Sequence, residues 1–171
     1  AIQLAKHFGA KVGTTTSTAN VQLVSDLGAD EVVDYKKQEF ENVLRDYDMA
    51  LGTLRGDALE KSVGILKSGG KIVSLIGPLD AAFATTRRLN FVLTFVFELM
   101  SRKIKRLAAK KDVDYSFLFV RPDGKQLGEI GELLESARIQ PVIDSVFPFE
   151  KAREALEYLA QGRAKGKVVV Q

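Results

Sequence analysis

The chain has 171 residues, of which 46% are hydrophobic and 27% charged, proportions typical of a globular domain with a hydrophobic core. It contains no cysteine and one histidine, which excludes disulfides and thiolate metal sites and argues against a His-based triad or metal centre. Its 14 glycines and 4 prolines follow no period, so collagen-like and low-complexity classes are excluded too. We expect one domain, or one domain with part of a second.

The net charge of +3 is concentrated in one part of the chain. Between Arg87 and Lys111 there are 8 basic residues, opposed only by Glu98. A nucleic-acid-binding surface is usually basic along several elements, so this local excess does not predict a nucleic-acid partner. The most apolar stretch, residues 91–100, is too short and too polar to cross a bilayer. Without a signal peptide, we expect a cytoplasmic protein with no membrane partner.

The first half of the chain alternates helical and strand patterns. Residues 1–8 are predicted to form the end of a helix that Gly9 terminates, and because no N-cap precedes it we expect a piece of a longer chain. The other elements of this half are strands at residues 11–15, 31–34 and 48–53 and helices at residues 19–27, 38–44 and 58–66. Gly28 is predicted to close the second helix, and Ser68-Gly69-Gly70 the fourth.

The second half continues the alternation. A buried strand is predicted at residues 71–76 and a long helix at residues 89–110. The remaining elements are strands at residues 115–120, 142–147 and 167–170 and helices at residues 126–137 and 150–161. Short apolar strands that alternate with helices are typical of an α/β protein with a parallel sheet covered on both faces.

Ligands of such sheets bind at the carboxyl ends of the strands. The loops that follow the predicted strands are small and polar and often contain glycine, which lets a cofactor approach the backbone. They are residues 15–20, 34–37, 52–56, 76–80 and 119–123. Any turn between a strand and a helix favours Gly, Ser, Thr or Asp, so a single loop also fits plain capping. Five such loops at one edge favour a ligand site.

Several motifs, taken in order, resemble a known family. They are GAKVGTTTS at residues 9–17, LGADEVVDY at 27–35, LKSGGKIVSLIGP at 66–78, FVRPDG at 119–124, FPFEKAREAL at 147–156 and GRAKGKVVV at 162–170. Together they resemble the cofactor-binding half of the medium-chain dehydrogenase/reductases, and within that superfamily the zinc-independent quinone oxidoreductase and enone reductase branch.

The resemblance implies a Rossmann-type, doubly wound parallel sheet that lacks its first strand and its glycine-rich turn. The missing strand would lie between the strands at residues 11–15 and 48–53, leaving two inner edges unpaired. Residues 1–140 would form a partial nucleotide-binding domain, and residues 141–171 would return to an N-terminal catalytic domain. Without the turn that holds the pyrophosphate, we expect this piece alone to be inactive, poorly soluble or associated, and weak in binding NADPH.

The loop after the first predicted strand indicates the choice of cofactor. A site for NAD places Asp or Glu there to accept from the ribose 2′-hydroxyl, whereas residues 14–20 contain no acid. The resemblance implies a 2′-phosphate pocket, and thus NADP, at Thr16, Ser17, Asn20 and Tyr35. Asn20 stands where a basic residue is often found, and Lys36 is a candidate substitute. The alternative for this loop is helix capping by Ser17 or Thr18.

The resemblance also implies contacts along the rest of the cofactor. Loops that touch its adenosine or nicotinamide ends correspond to Gly52, Thr53, Leu54, Ile76 and Gly77. Gly52 replaces an Asp that is common in the family. The backbone that meets the nicotinamide amide corresponds to Leu118, Phe119 and Val120. For Phe117 and Phe119 the alternative is core packing.

The resemblance implies NADPH-dependent reduction of a quinone, enone or related conjugated carbonyl by hydride transfer, without zinc. The substrate would be a small molecule and the parent protein a homodimer, joined through the strand at residues 115–120 or 142–147. Catalytic residues are not assigned, because they would lie largely in the missing domain. Two alternatives stay open: a zinc-dependent alcohol dehydrogenase of the same superfamily, and a non-catalytic nucleotide-sensing Rossmann module.

Other charged residues are expected to be structural. His7 has no partner pattern and is interpreted as a surface or packing residue. Asp30, Glu31 and Asp34 flank a strand and are interpreted as solvated or capping carboxylates. The basic run at residues 102–111 fits a solvated helix face, a lid beside the substrate cleft or a contact with an anionic surface.

Overall fold

Parallel strands alternate with helices along the whole computed structural model, which describes residues 1–54 and 56–171. The helices are α1 (Ile2–His7), α2 (Val21–Asp26), α3 (Ala58–Gly64), α4 (Ala81–Thr86), α5 (Phe91–Ala109), α6 (Gly124–Glu135) and α7 (Ala152–Ala160). The strands are β1 (Gly13–Thr16), β2 (Glu31–Asp34), β3 (Tyr47–Gly52), β4 (Leu66–Ser74), β5 (Asp114–Phe117), β6 (Ile143–Phe147) and β7 (Lys167–Val170). The predicted α/β class is therefore confirmed.

The chain divides into two compact units. The first unit contains residues 1–36 and 123–171, and the second contains residues 37–122. The predicted boundary at residue 140, and the return of the last segment to another domain, stay predictions.

The first unit contains two separate pairs of parallel strands. β1 pairs with β2, from Gly13 opposite Glu31 to Thr16 opposite Asp34, and β6 pairs with β7. Among the described residues β1 pairs with no second strand, which agrees with the unpaired inner edge predicted for it. Gly9 and Gly28 end the two helices that flank β1 with φ values of +77° and +98°, a backbone conformation that favours glycine.

The second unit contains a three-stranded parallel sheet in the order β3-β4-β5. Its core is formed by apolar side chains from the sheet and from α3 and α5, with Ile72 at the centre of the middle strand and fully buried. Val63 of α3 and Ile104 of α5 are also buried. Because the three strands are parallel, their carboxyl ends lie at one edge of the sheet. The sequence predicts ligand binding at this edge.

Three local predictions were wrong. Residues 38–44 form only a 3-10 turn at Phe40–Asn42, because Lys61 of α3 binds both Glu39 and Glu41 at 2.8 Å and the chain then turns at Asp46 with φ +61°. The predicted helix stop at residues 68–70 lies inside β4, where the pairing shifts register between Tyr47 and Met49 and the extra residues form a bulge.

The third error concerns the segment before the long helix. The helix begins at Phe91 rather than at residue 89, and it is preceded by α4, which was not predicted. β5 is also shorter than expected and ends at Phe117, so Leu118–Val120 follow the strand. The amino-terminal half of α5 is strongly exposed, with Phe91 at 83% and Phe95 at 70%.

None of the helices formed by residues 1–54 and 56–171 is both long and apolar enough to span a membrane.

Candidate functional site

The four residues predicted to bind a 2′-phosphate lie together at the carboxyl end of the β1–β2 pair. The amide of Tyr35 donates to the carbonyl of Thr16 at 3.1 Å, which extends the ladder by one residue beyond Asp34. The amide of Asn20 donates to the carbonyl of Ser17 at 2.8 Å and closes the 3-10 turn that leads into α2. The strand end and the turn thus bring the side chains of both segments to one edge.

These side chains are not used by the helix that follows. Ser17 occupies the N-cap position of the turn, but its hydroxyl makes no capping hydrogen bond. Thr18 donates instead to Asp34 Oδ2 at 2.6 Å, so the capping interpretation is wrong for both residues. Among the described residues, the structure records no hydrogen-bond partner for the hydroxyls of Thr16 and Ser17.

Asn20 carries an unsatisfied polar atom at this edge. Its side-chain oxygen Oδ1 is buried and has no hydrogen-bond partner among the described residues. A buried polar atom without a partner destabilises the free protein, and such an atom in a native structure needs an explanation. An amide can also turn end for end and present its N–H₂ group instead. Turned in this way, Asn20 would direct its N–H₂ group to the same position, where it would donate to an acceptor atom.

The carboxylates around β2 have structural partners, as predicted. Asp34 is only 7% exposed; besides Thr18 it accepts from the amide of Lys36 at 3.1 Å. Asp30 accepts from Lys6 at 2.8 Å and from the amide of Val12 at 2.7 Å, and these bonds hold its pKa below the ordinary value. Bound in this way, they serve to fix loops and helices around the strand pair.

The second group of predicted residues lies at the carboxyl edge of the β3-β4-β5 sheet. The carbonyl of Gly52 accepts from the amide of Leu75 at 2.9 Å, and the carbonyl of Ser74 accepts from the amide of Leu118 at 2.9 Å. These bonds place Gly52, the loop with Ile76 and Gly77, and the segment that begins with Leu118 side by side. Thr53, Leu54, Phe119 and Val120 follow the strand ends and are exposed.

Two glycines at this edge are required by packing. A Cβ added to Gly52 would lie 2.8 Å from Leu59 Cδ1, and one added to Gly77 would lie 2.4 Å from Ser74 Oγ. The Ser74 hydroxyl is buried and accepts from the amide of Gly77 at 2.7 Å. The Asp expected in the family at position 52 would require the Leu59 side chain to move.

Phe119 is held by α4, an element that the sequence did not predict. The centre of its ring lies 5.6 Å from the centre of the Phe83 ring. The guanidinium carbon of Arg87 lies 4.4 Å from the centre of the Phe119 ring, within the range of a cation–π contact. Phe117 packs edge-on against Phe83 at 5.5 Å. Phe117 thus contacts α4 and is partly buried, whereas Phe119 is 49% exposed.

Asp80 and Tyr115 fix the start of α4 against β5. The buried carboxylate of Asp80 accepts from the amide of Phe83 at 2.9 Å and from the amide of Phe117 at 3.4 Å. The Tyr115 hydroxyl donates to the carbonyl of Pro78 at 2.6 Å, and burial raises the pKa of Tyr115 to about 12. An Asp before Ala-Ala-Phe is an N-cap signal that could have predicted α4 from the sequence.

Comparison with known proteins decides the family. The profile of a family described as zinc-binding dehydrogenase matches residues 27–170, which is most of the chain. The chain belongs to the zinc-binding dehydrogenase family.

Individual relatives are about one-third identical to this chain over the aligned residues. The chain is 35% identical over 178 residues to an NAD(P)H oxidoreductase, RTN4IP1, of Danio rerio mitochondria, covering 99% of the chain and 45% of the relative. It is 33% identical over 173 residues to a chloroplastic NADPH-dependent alkenal/one oxidoreductase of Arabidopsis thaliana, covering 99% of the chain and 36% of the relative.

The solved structure of the quinone oxidoreductase from Coxiella burnetii has the same fold, with a TM-score of 0.73 and 25% identity, over 99% of the chain and 47% of that structure. The fold class predicted from the sequence, a Rossmann-type arrangement of this superfamily, is therefore confirmed. The chain spans less than half the length of each of these relatives.

The name of the family refers to zinc, which the described part of this chain is not equipped to bind. Residues 1–54 and 56–171 contain no group of three His, Asp or Glu side chains placed to hold a metal ion, and the sequence has no cysteine. These residues do not fit a zinc centre.

The basic run on α5 is partly neutralised within the second unit. Lys103 forms an ion pair with Glu60 of α3 at 2.7 Å, and Lys105 pairs with Glu98 at 2.7 Å. These pairs favour the interpretation of the run as a solvated helix face.

An open groove of about 880 Å³ lies between α4 and the start of α5. Its lining includes Thr85, Leu89, Phe91, Thr94 and Phe95.

Proposed function

We propose that this chain is the nucleotide-binding part of an NADPH-dependent reductase of quinones, enones or related conjugated carbonyl compounds. The observation that carries the proposal is the set of neutral polar groups at the carboxyl end of β1. The hydroxyls of Thr16 and Ser17 are not used by the described protein, the Asn20 oxygen is buried without a partner, and Asp34 is already engaged by Thr18. The names of the Arabidopsis and Coxiella proteins support both the cofactor and the acceptor class.

The residues at the β1 edge suit the phosphorylated cofactor better than the unphosphorylated one. Hydroxyl and amide N–H groups donate to phosphate oxygens, whereas a carboxylate that would accept from a ribose 2′-hydroxyl is missing from Thr16, Ser17 and Asn20. Tyr35 contributes a further exposed hydroxyl at the same edge. We assign the 2′-phosphate to this group of four residues.

At the β3-β4-β5 edge, the backbone does the binding. Gly52 and Gly77 are packed against Leu59 and Ser74, which fixes the main chain of both segments at this edge. The backbone of Leu118–Val120 would meet the nicotinamide amide, and α4 holds the Phe119 ring in place. When bound, NADPH would supply the hydride, and the backbone at this edge would orient its nicotinamide ring.

Steady-state turnover of the full-length protein tests the proposal. NADPH oxidation should require an added quinone or enone and should not occur with a simple aldehyde or ketone. A Ser17→Ala variant should raise the KM for NADPH, whereas Ser25→Ala, on the exposed side of α2, should leave it unchanged. NADPH binding without turnover of any conjugated carbonyl would instead identify a nucleotide-sensing module.

The homodimer and the cytoplasmic location are also proposals. The names of the Danio and Arabidopsis relatives refer to mitochondria and chloroplasts, so localisation of the tagged full-length protein by microscopy is the direct test of the second one.

A further inference from the structure

The outer face of α5 is exposed and changes from apolar to basic along the helix. Ser101, Ile104 and Ala108 are buried and define the inner face, on the side of α5 that packs against α3 and β5. At 3.6 residues per turn, the opposite face of the first turns carries apolar side chains, all of them exposed. They are Phe91, Val92, Phe95, Val96, Leu99 and Met100. The first half of α5 thus presents hydrocarbon to its surroundings.

The second half of the same face is positively charged. Arg102 and Arg106 of α5, and Lys110 directly after it, follow one another at intervals of one helical turn and are exposed. Among the described residues, no carboxylate lies within 4 Å of the charged groups of these three. The ion pairs of the run belong to Lys103 and Lys105. Three positive charges are therefore available to an anionic partner.

A carboxylate beside the apolar half is neutralised within the second unit. Glu98 accepts from Lys105 Nζ at 2.7 Å. Arg88, which lines the groove together with Phe91, is exposed and adds a positive charge. The surface that α5 offers is thus apolar and cationic, so a complementary partner is apolar and anionic.

A second copy of this chain does not provide that complement through α5. In a symmetric dimer the same face of both copies meets. Parallel helices would bring the three cations of one copy against those of the other, and antiparallel helices would bring them against apolar side chains. Neither arrangement neutralises the charge, and the first one adds repulsion.

The surface of an anionic bilayer has both properties in the matching order. Charged headgroups lie outside, and hydrocarbon lies directly beneath them. The apolar half of α5 is about 15 Å long, so a helix that enters obliquely keeps it within the roughly 5–10 Å that interfacial helices reach. The basic half, farther along the same helix, then lies at the level of the headgroups.

We propose that the outer face of α5 binds the surface of an anionic phospholipid membrane, with residues 91–100 at the acyl boundary and Arg102, Arg106 and Lys110 against the headgroups. The proposal does not depend on the reductase function. The expectation of no membrane partner rested on the lack of a spanning segment, which peripheral binding of this kind does not require.

Cosedimentation of the full-length protein with vesicles tests this proposal. The vesicles contain phosphatidylcholine alone or phosphatidylcholine with phosphatidylserine. Wild type should bind the phosphatidylserine vesicles more tightly, and added salt should weaken that binding. The double change Arg102→Gln and Arg106→Gln should weaken it about thirtyfold, which corresponds to about 2 kcal/mol. Phe91→Ser should weaken it about tenfold.

Two matched controls act at exposed positions outside α5. Arg138→Gln with Arg153→Gln removes the same charge, and Leu127→Ser removes an apolar side chain from α6. Both should bind like wild type, and thermal unfolding shows whether each variant is folded.

Equal binding of wild type to the two kinds of vesicle, or binding to neither, would overturn the proposal. So would α5 variants that bind no differently from the controls. If wild type binds neither kind of vesicle and Phe91→Ser lowers the molar mass in light scattering, a second copy covers this face instead.

Discussion

Gly52 shows how one missing Cβ shapes the site. The end of β3 lies so close to Leu59 that any side chain at position 52 would displace a buried leucine of α3. The same residue was noted in the sequence as a departure from the family, where an Asp is common. The structure explains that departure by packing: the space that an Asp would need is occupied by Leu59.

Gly52→Ala should therefore destabilise the protein. A methyl group 2.8 Å from Leu59 Cδ1 forces a shift in a packed core, which typically costs about 1–3 kcal/mol. The matched control is Gly64→Ala at the end of α3, where an added Cβ meets nothing within 4 Å; it should be neutral or stabilise by up to about 1 kcal/mol. Urea unfolding measures both, and equal effects of the two variants would contradict this account.

Tyr115 should make stability depend on alkaline pH. Its pKa is raised to about 12 in the folded state from an ordinary value of 10.0, so the folded protein holds this proton more tightly than the unfolded chain. The resulting stabilisation is fully present below pH 10 and is lost as the pH rises towards 12.

The test compares two Tyr→Phe variants. Tyr115→Phe removes the hydroxyl that donates to Pro78 and should cost about 1 kcal/mol at neutral pH. Between pH 10 and 12 this difference from wild type should shrink, because the wild type loses the contribution of Tyr115 in that range. Tyr35→Phe, at an exposed residue, should not change the pH profile. A constant difference across this pH range would argue against the assignment.

At the scale of elements, α4 is fixed by the double use of Asp80. The carboxylate caps α4 and also accepts from the amide of Phe117 in β5, and Asp80 itself is buried. Asn90 caps α5 through one bond to the amide of Leu93 at 2.9 Å and is exposed. In both caps a side-chain oxygen accepts from an amide in the first turn of the helix, but Asp80 is buried and Asn90 is exposed.

Asp80→Ala should cost more stability than Asn90→Ala. Loss of an N-cap costs about 0.5–2 kcal/mol, and at Asp80 the variant also leaves the buried amide of Phe117 without an acceptor. We expect the Asp80 variant at or above the upper end of that range and the Asn90 variant near the lower end, as measured by thermal unfolding. The reverse order would show that the contact with β5 contributes nothing.

The sequence predicted elements well where local signals determine them. The bounds of β2 and β7 agree with the prediction, because each contains consecutive valines between turn residues. The errors arise where distant contacts override local preference. Lys61 holds the two glutamates around the Phe40–Asn42 turn, and residues 68–70 of β4 are held by Asp112, to which Ser68 and Gly69 donate.

In the candidate site too, contacts between residues that are close in the chain could be predicted from the sequence, and contacts between distant residues could not. Thr16, Ser17 and Asn20 lie within five consecutive residues, so their proximity is evident from the sequence. Lys165 donates to the carbonyl of Ala19 in the same segment across 146 positions of the chain, which no local pattern reveals. The contact of Arg87 with Phe119 likewise depends on α4, which the sequence analysis did not predict.

At the scale of the whole molecule, the predicted homodimer needs a free strand edge. The amide of Leu118 faces β4, so the amide of Phe117 points to the other side of β5, where it donates to Asp80. This contact occupies part of the β5 edge and favours β6 as the pairing strand.

We therefore predict a homodimer joined at β6. A charge on a pairing strand opposes association, so Val146→Lys should shift the protein to monomer in light scattering. Val120→Lys, a change at a more exposed residue after β5, should leave the dimer intact. A monomeric wild type, or dissociation by the Val120 change alone, would contradict this arrangement.

The central claim is that the carboxyl end of β1 recognises a 2′-phosphate, and the ratio of affinities for NADPH and NADH tests it most directly. The two cofactors differ only in that phosphate, so every other contact cancels. Titration of the full-length protein, followed by nicotinamide fluorescence, should give a dissociation constant for NADPH at least tenfold below that for NADH, a difference of about 1.4 kcal/mol. Equal affinities, or tighter binding of NADH, would contradict the account.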